Sequence, residues 1–116
     1  MDNRPRTIIC DIDGVLLKHK GDITQQHLST PEVLPGVLTM LRKWDIEGCR
    51  IILITGRRES TRYHTEEQLA NCGILYDALL FGVSGGTRVL INDRKSCSNI
   101  DTAVAINLAR NSGFVV

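Results

Sequence analysis

Residues Thr7-Ile8-Ile9-Cys10 form a short apolar run that ends abruptly in Asp11-Ile12-Asp13-Gly14-Val15. An apolar strand that releases two carboxylates and then a glycine sets acids where a parallel sheet opens to solvent. Open α/β sheets bind ligands there, in the crevice outside the carboxyl ends of their strands. Two acids one residue apart repel each other unless a cation or a shared proton relieves them. The run therefore predicts a metal site, an acid/base pair, or both. The plainer reading is an Asx-turn followed by a glycine turn, and Asp-x-Asp-Gly alone does not separate the two.

The rest of the chain alternates apolar runs with amphipathic stretches, which predicts an α/β fold built of βαβ units. Leu34-Pro35-Gly36 is turn chemistry that opens a helix carrying Val37, Leu38, Leu41 and Trp44, with Gly48 as its stop. Ile51-Ile52-Leu53-Ile54 is a continuous apolar run, expected of a strand buried on both faces. Thr55-Gly56-Arg57-Arg58 then makes a loop. Ser60 is the expected cap of a second helix, with Leu69, Ala70 and Cys72 on its apolar side and Gly73 at its end. Further strands are expected over Ala78–Phe81, Val89–Ile91 and Ala103–Ile106, giving a mainly parallel sheet of five. Residues 15–30 are polar and irregular and read as a hairpin or flap. With right-handed crossovers, the ends after Cys10, Ile54 and Ile91 share one edge of the sheet. Asp11/Asp13, Thr55/Arg57 and Asn92/Asp93 then converge on one crevice, and that convergence is more specific than any one cluster.

The 116 residues fit a single domain, 1–116, large enough to fold without staples. A formal net charge of +1 argues against nucleic acid as a partner, because a basic footprint is its usual sign. Cys10, Cys49, Cys72 and Cys97 show no Cys-x-x-Cys spacing, so they read as reduced thiols of a cytoplasmic protein rather than a zinc site. The N-terminal residues are polar and unlike a signal peptide. No apolar stretch approaches the ~20 residues that a membrane helix needs.

Three motifs, in order along the chain, resemble those of the haloacid dehalogenase (HAD) superfamily of phosphatases. Asp11-Ile12-Asp13-Gly14-Val15 is similar to the first, Ile54-Thr55-Gly56-Arg57 to the second, and Leu90-Ile91-Asn92-Asp93 to the fourth. The resemblance implies a three-layer, Rossmann-like fold and a Mg²⁺-dependent phosphomonoesterase. Asp11 would attack phosphorus, and Asp13 would protonate the leaving oxygen and then activate water. Asp11, Asp13 and Asp93 would hold the metal, an oxygen-rich site. Thr55 would donate its hydroxyl to the transferring group, with Gly56 and Arg57 as substrate contacts.

Two departures from that pattern stand out. The superfamily's third-motif lysine is missing from Gly82–Thr87. Lys95, just beyond Asp93, is the expected substitute, since Arg88 opens a strand at the end expected to lie far from the site. Asn92 stands where a first aspartate is common. The spacings also leave no room for a cap domain, so the site should be open, covered by a bulky substrate or by a second copy in a homo-oligomer. A small phosphorylated metabolite such as a sugar phosphate is the expected substrate. The rivals are a binding module that has lost catalysis and a nucleic-acid end phosphatase.

Overall fold

The computed structural model describes residues 4–96 and 99–114. Three parallel strands form one sheet in the order β1-β2-β3: β1 (Thr7–Asp11), β2 (Arg50–Ile54) and β3 (Ala78–Leu80). Parallel neighbours need a crossover rather than a hairpin. Helices α1 (Ile23–Leu28) and α2 (Val37–Ile46) lie between β1 and β2, and α3 (Arg62–Asn71), after a 3₁₀ turn at Glu59–Thr61, lies between β2 and β3. The register pairs Cys10 with Leu53 and Asp11 with Ile54. The two polar ends, Asp11 onward and Thr55 onward, therefore emerge side by side.

Helix α2 follows its sequence signals. Gly36 takes a left-handed conformation (φ +75°) at the N-cap, and Val37, Leu41 and Trp44 fall on one buried face. They join Cys10, Ile12, Leu16, Leu17, Ile51 and Leu53 in the core. Burial drives the Cys10 thiol up to about 12, with Asp11 beside it adding to the rise, so this cysteine is an inert apolar group at neutral pH. Cys49 and Cys72 are also free thiols, while Cys97 lies outside the described residues.

The C-terminal residues fasten the turn before α2. Phe114 N–H donates to the Pro35 carbonyl at 2.8 Å, and its ring meets Trp44 edge-on, with centroids 5.6 Å apart. Gly113 (φ +71°) and Gly36 make this approach feasible, because a Cβ on either would collide with main-chain atoms of the opposing segment. Gly113→Ala should therefore destabilise the fold by roughly 2–4 kcal/mol. Gly48→Ala, with a similar φ of +77° but open space around it, should cost only about 1 kcal/mol. Thermal denaturation of the two variants side by side checks this; equal losses would mean that the segment is not clamped.

Beyond β3 the structure departs from expectation. Neither Val89–Ile91 nor Ala103–Ile106 is a strand, so the described sheet has three strands rather than five. Residues 88–110 instead leave the body as an arm whose two legs are linked by side chains: Asn92 Nδ2 to Thr102 Oγ1 at 2.7 Å, and Arg94 to Asp101 at 2.6 Å. The radius of gyration is 15.1 Å and the long axis 50 Å. A compact chain of this length would have a radius of gyration of about 13 Å; the arm accounts for the excess. Smaller differences are local. The N-cap of α3 is Thr61 rather than Ser60, and the 15–30 segment contains α1, capped by the Asp22 side chain accepting from Gln25 N–H. No helix among the described residues is long and apolar enough to cross a membrane.

Candidate functional site

The turn after β1 is held by its apolar members. Ile12, Leu16 and Leu17 are fully buried, and the Ile12 carbonyl accepts from the N–H groups of Leu16 and Leu17 at 2.9 and 3.0 Å. Gly14 makes the bend possible with φ +95°. With those side chains driven into the core, Asp11 and Asp13 are left facing a cavity of about 230 Å³. One Asp11 oxygen accepts from Ile12 N–H at 2.9 Å; the other has no hydrogen-bond partner among the described residues. Desolvation raises the Asp11 pKa above its ordinary value and outweighs the lowering by Arg88 and by the Ile12 N–H; Asp13 adds to the rise and His19 opposes it.

Asp13 is held very differently. Arg57 grips it with a two-pronged contact, Nε to Oδ2 at 2.9 Å and Nη2 to Oδ1 at 2.8 Å, while Gln26 Nε2 donates to Oδ1 at 2.8 Å. The other guanidinium nitrogen of Arg57 donates to Thr65 Oγ1 at 3.1 Å and Gln68 Oε1 at 2.6 Å. Arg57 is only 4% exposed. Its fork, expected to hold substrate, instead holds Asp13, and its role is correspondingly one of positioning. This also explains the buried face of α3, which is Thr65, Gln68 and Leu69 rather than an apolar stripe. A buried cation needs polar partners, and the helix supplies two of them.

Thr55 is buried at the end of β2, and its Oγ1 accepts from Arg57 N–H at 3.1 Å, which leaves the hydroxyl hydrogen to donate. Gly56 lines the cavity beside Val83, whose N–H donates to the Thr55 carbonyl at 3.0 Å. A Cβ on Gly56 would come within 3.3 Å of the Val83 carbonyl oxygen.

The cations at the cavity are not the expected ones. Lys95 and Asp93 face each other on the arm at 3.7 Å, both well exposed, and neither lines the cavity. Asn92 and Asp101 are likewise engaged within the arm. In their place Arg88 and Arg110, the two roots of the arm, line the cavity with His19. Arg88 was expected at the far end of a strand; because that strand does not form, the residue stays beside Asp11. Gln26 and Asn111 also escaped the sequence reading. Asn111 (φ +63°) accepts from His19 N–H at 2.7 Å and donates to the His19 carbonyl at 3.1 Å, which pins the flap over the cavity. An asparagine beside a glycine-rich C-terminal turn was the one hint of it; Gln26 carries no signal at all.

A Mg²⁺ ion takes one or two carboxylates, with waters and substrate phosphate oxygens completing its shell. The unengaged Asp11 oxygen and the Asp13 main-chain carbonyl, which accepts no hydrogen bond among the described residues, fit that donor set. The Asp13 carboxylate is already occupied by three donors, and no cluster of three or more His, Cys, Asp or Glu side chains gathers among the described residues.

No family model matches the sequence, and no curated protein matches it. Solved structures do. The chain is similar to a chain of the Pnkp1/Rnl/Hen1 complex, at 29% identity over 73% of its length with a TM-score of 0.60. It is also similar to a chain of the Pnkp1/Rnl/Hen1 RNA repair complex, at 28% identity over 72% of its length with a TM-score of 0.56. In each case it spans less than a third of the larger chain, 30% and 28%.

Proposed function

We propose that this protein is a phosphomonoester hydrolase of the HAD type, using Asp11 as nucleophile and acting on a terminal phosphate of a nucleotide or nucleic acid. The observation that carries the reading is the contrast between two neighbouring carboxylates. Asp11 keeps an unengaged oxygen facing a cavity rimmed by Arg88 and Arg110, while Asp13 is fixed beside it by Arg57 and Gln26. A phosphate dianion repels an anionic nucleophile, so attack needs flanking cations and oriented donors. Arg88, Arg110 and the Thr55 hydroxyl supply them.

In the first step an Asp11 oxygen bonds to phosphorus and the bond to the ester oxygen breaks. The leaving oxygen takes a proton from Asp13. In the second, water attacks phosphorus, loses a proton to Asp13, and the bond to Asp11 breaks. Every hydrogen bond to the Asp13 carboxylate now comes from a donor. To deliver a proton it must first take one and loosen one of those contacts. Bound Mg²⁺, held by the Asp11 carboxylate and the Asp13 carbonyl, would neutralise charge on the transferring oxygens.

The likeness to chains of an RNA repair complex favours a nucleic-acid phosphate over a sugar phosphate. Absence of a cap fits a substrate whose bulk stays outside the cavity. Phosphate release should be measured from 3′- and 5′-phosphorylated oligonucleotides, nucleotides and sugar phosphates, with and without Mg²⁺. Release from the oligonucleotides supports the reading; release from sugar phosphates alone replaces its substrate; no release by folded protein leaves a binding module. Arg88→Ala should lower kcat/KM by about 10–100-fold, the worth of one charge-assisted contact. Arg42, exposed on α2, serves as the control and should be silent on replacement.

A further inference from the structure

We infer that the arm of residues 88–110 pairs with the open edge of β1 in a second copy of this chain, so that two copies exchange arms. Two features of one chain carry this. The first is the arm, with Val89, Leu90, Ile91, Val104 and Ile106 all exposed, Ile91 at 92%. The backbone groups of residues 89–92 and 103–108 have no hydrogen-bond partner among the described residues. These are β-branched and apolar residues in extended legs, and such a segment is a ready template for strand pairing.

The second feature is the edge. β1 pairs with β2 on one side only. Arg50 N–H donates to the Arg6 carbonyl and Ile12 N–H to the Ile54 carbonyl, so the even-numbered residues face β2. Thr7 and Ile9 then turn their main-chain groups to the vacant side, where no described residue meets them. Ile9 is half exposed, which is unusual for an isoleucine in the first strand of an α/β core.

One arm and one vacant edge per chain make two copies self-complementary, and a twofold exchange leaves neither feature over. Within a single chain the arm is directed elsewhere. Its roots are fixed at the cavity by Arg88 on one side and by the Asn111–Phe114 clamp on the other, and its legs stand clear of the body. Exchange would bury the apolar legs, extend each sheet, and bring the partner's body against the cavity rim. It holds or fails independently of the phosphatase reading.

The test uses paired cysteines. Leu90 lies opposite Ile9 in a centred pairing whichever way the strand runs, within disulfide reach. Ile9→Cys and Leu90→Cys chains should be refolded together under mild oxidation, with each single variant alone and the double variant as comparisons. Exchange predicts a disulfide-linked dimer in the mixture that neither single variant forms. The wild type should also sediment as a dimer at micromolar concentration, and Ile91→Lys/Val104→Lys as a monomer with unchanged circular dichroism. Intrachain linkage in the double variant with no dimer in the mixture would mean that the arm closes on its own sheet and would overturn the inference. A monomeric wild type with no linkage in any sample would overturn it as well.

Discussion

Arg57→Ala is expected to destabilise the fold by about 3–5 kcal/mol, the usual result of stranding one member of a buried ion pair. The substitution leaves Asp13 with Gln26 as its one side-chain donor and leaves Thr65 Oγ1 and Gln68 Oε1 without their guanidinium contacts. Both α3 residues are buried, so water cannot replace what is lost. Against a total stability of roughly 5–15 kcal/mol this is a large fraction, and the melting temperature should fall by roughly 10–20 °C. Arg57→Lys should recover only part, because an ammonium cannot hold a carboxylate with two parallel bonds while reaching two more acceptors. Denaturant titration with circular dichroism measures both. A loss below ~1 kcal/mol for the alanine variant would show that the pair is solvated, as exposed pairs are.

Asp11→Asn should move activity and stability in opposite directions. Turnover should fall by at least ~10⁴-fold, since the group that bonds to phosphorus is gone. The fold, by contrast, should gain on the order of 1 kcal/mol at pH 7 in metal-free buffer, as expected when an active-site charge is removed. The sign follows from the titration of Asp11. Its folded pKa lies above its ordinary value of 3.8, chiefly through desolvation. A group raised in this way contributes stability while protonated and loses it as pH rises through the folded value. Asparagine carries no charge at any pH, so its advantage should be present at neutral pH and shrink as the solution is acidified. Melting temperatures of both proteins between pH 3 and pH 8 test this on the scale where linkage operates. An advantage that grows on acidification would refute the raised pKa.

The elements that proved legible are those whose signals are local. β1 and β2 are short apolar runs, β3 begins where it was expected, and α2 is bounded by a left-handed glycine and Gly48. The placement of Asp11, Asp13 and Gly56 at one cavity follows from adjacent parallel strands ending together. Arg57 was found in the correct loop but with the wrong partner. Its fork is satisfied by Asp13, Thr65 and Gln68, which lie 44, 8 and 11 positions away, and no pattern in sequence distinguishes such a partner from a ligand.

The misread strands show the same limit from the other side. Val89–Ile91 and Ala103–Ile106 have strand-like composition, yet strand formation depends on a neighbour to pair with, and propensity alone does not supply one. Once those segments leave the sheet, Arg88 stays at the cavity while Asp93 and Lys95 move away from it.

By itself the sequence determined the α/β class, the parallel pairing of its first strands and the pair of aspartates at the sheet's end, because each is written in residues close together along the chain. Tertiary structure alone decided that Asp13 is clamped and Asp11 is not, that two arginines rather than a lysine face the nucleophile, and that the C-terminal arm stands apart. Those outcomes depend on desolvation, on competition among distant hydrogen-bond donors and on an edge to pair with, none of which exists until the chain has folded.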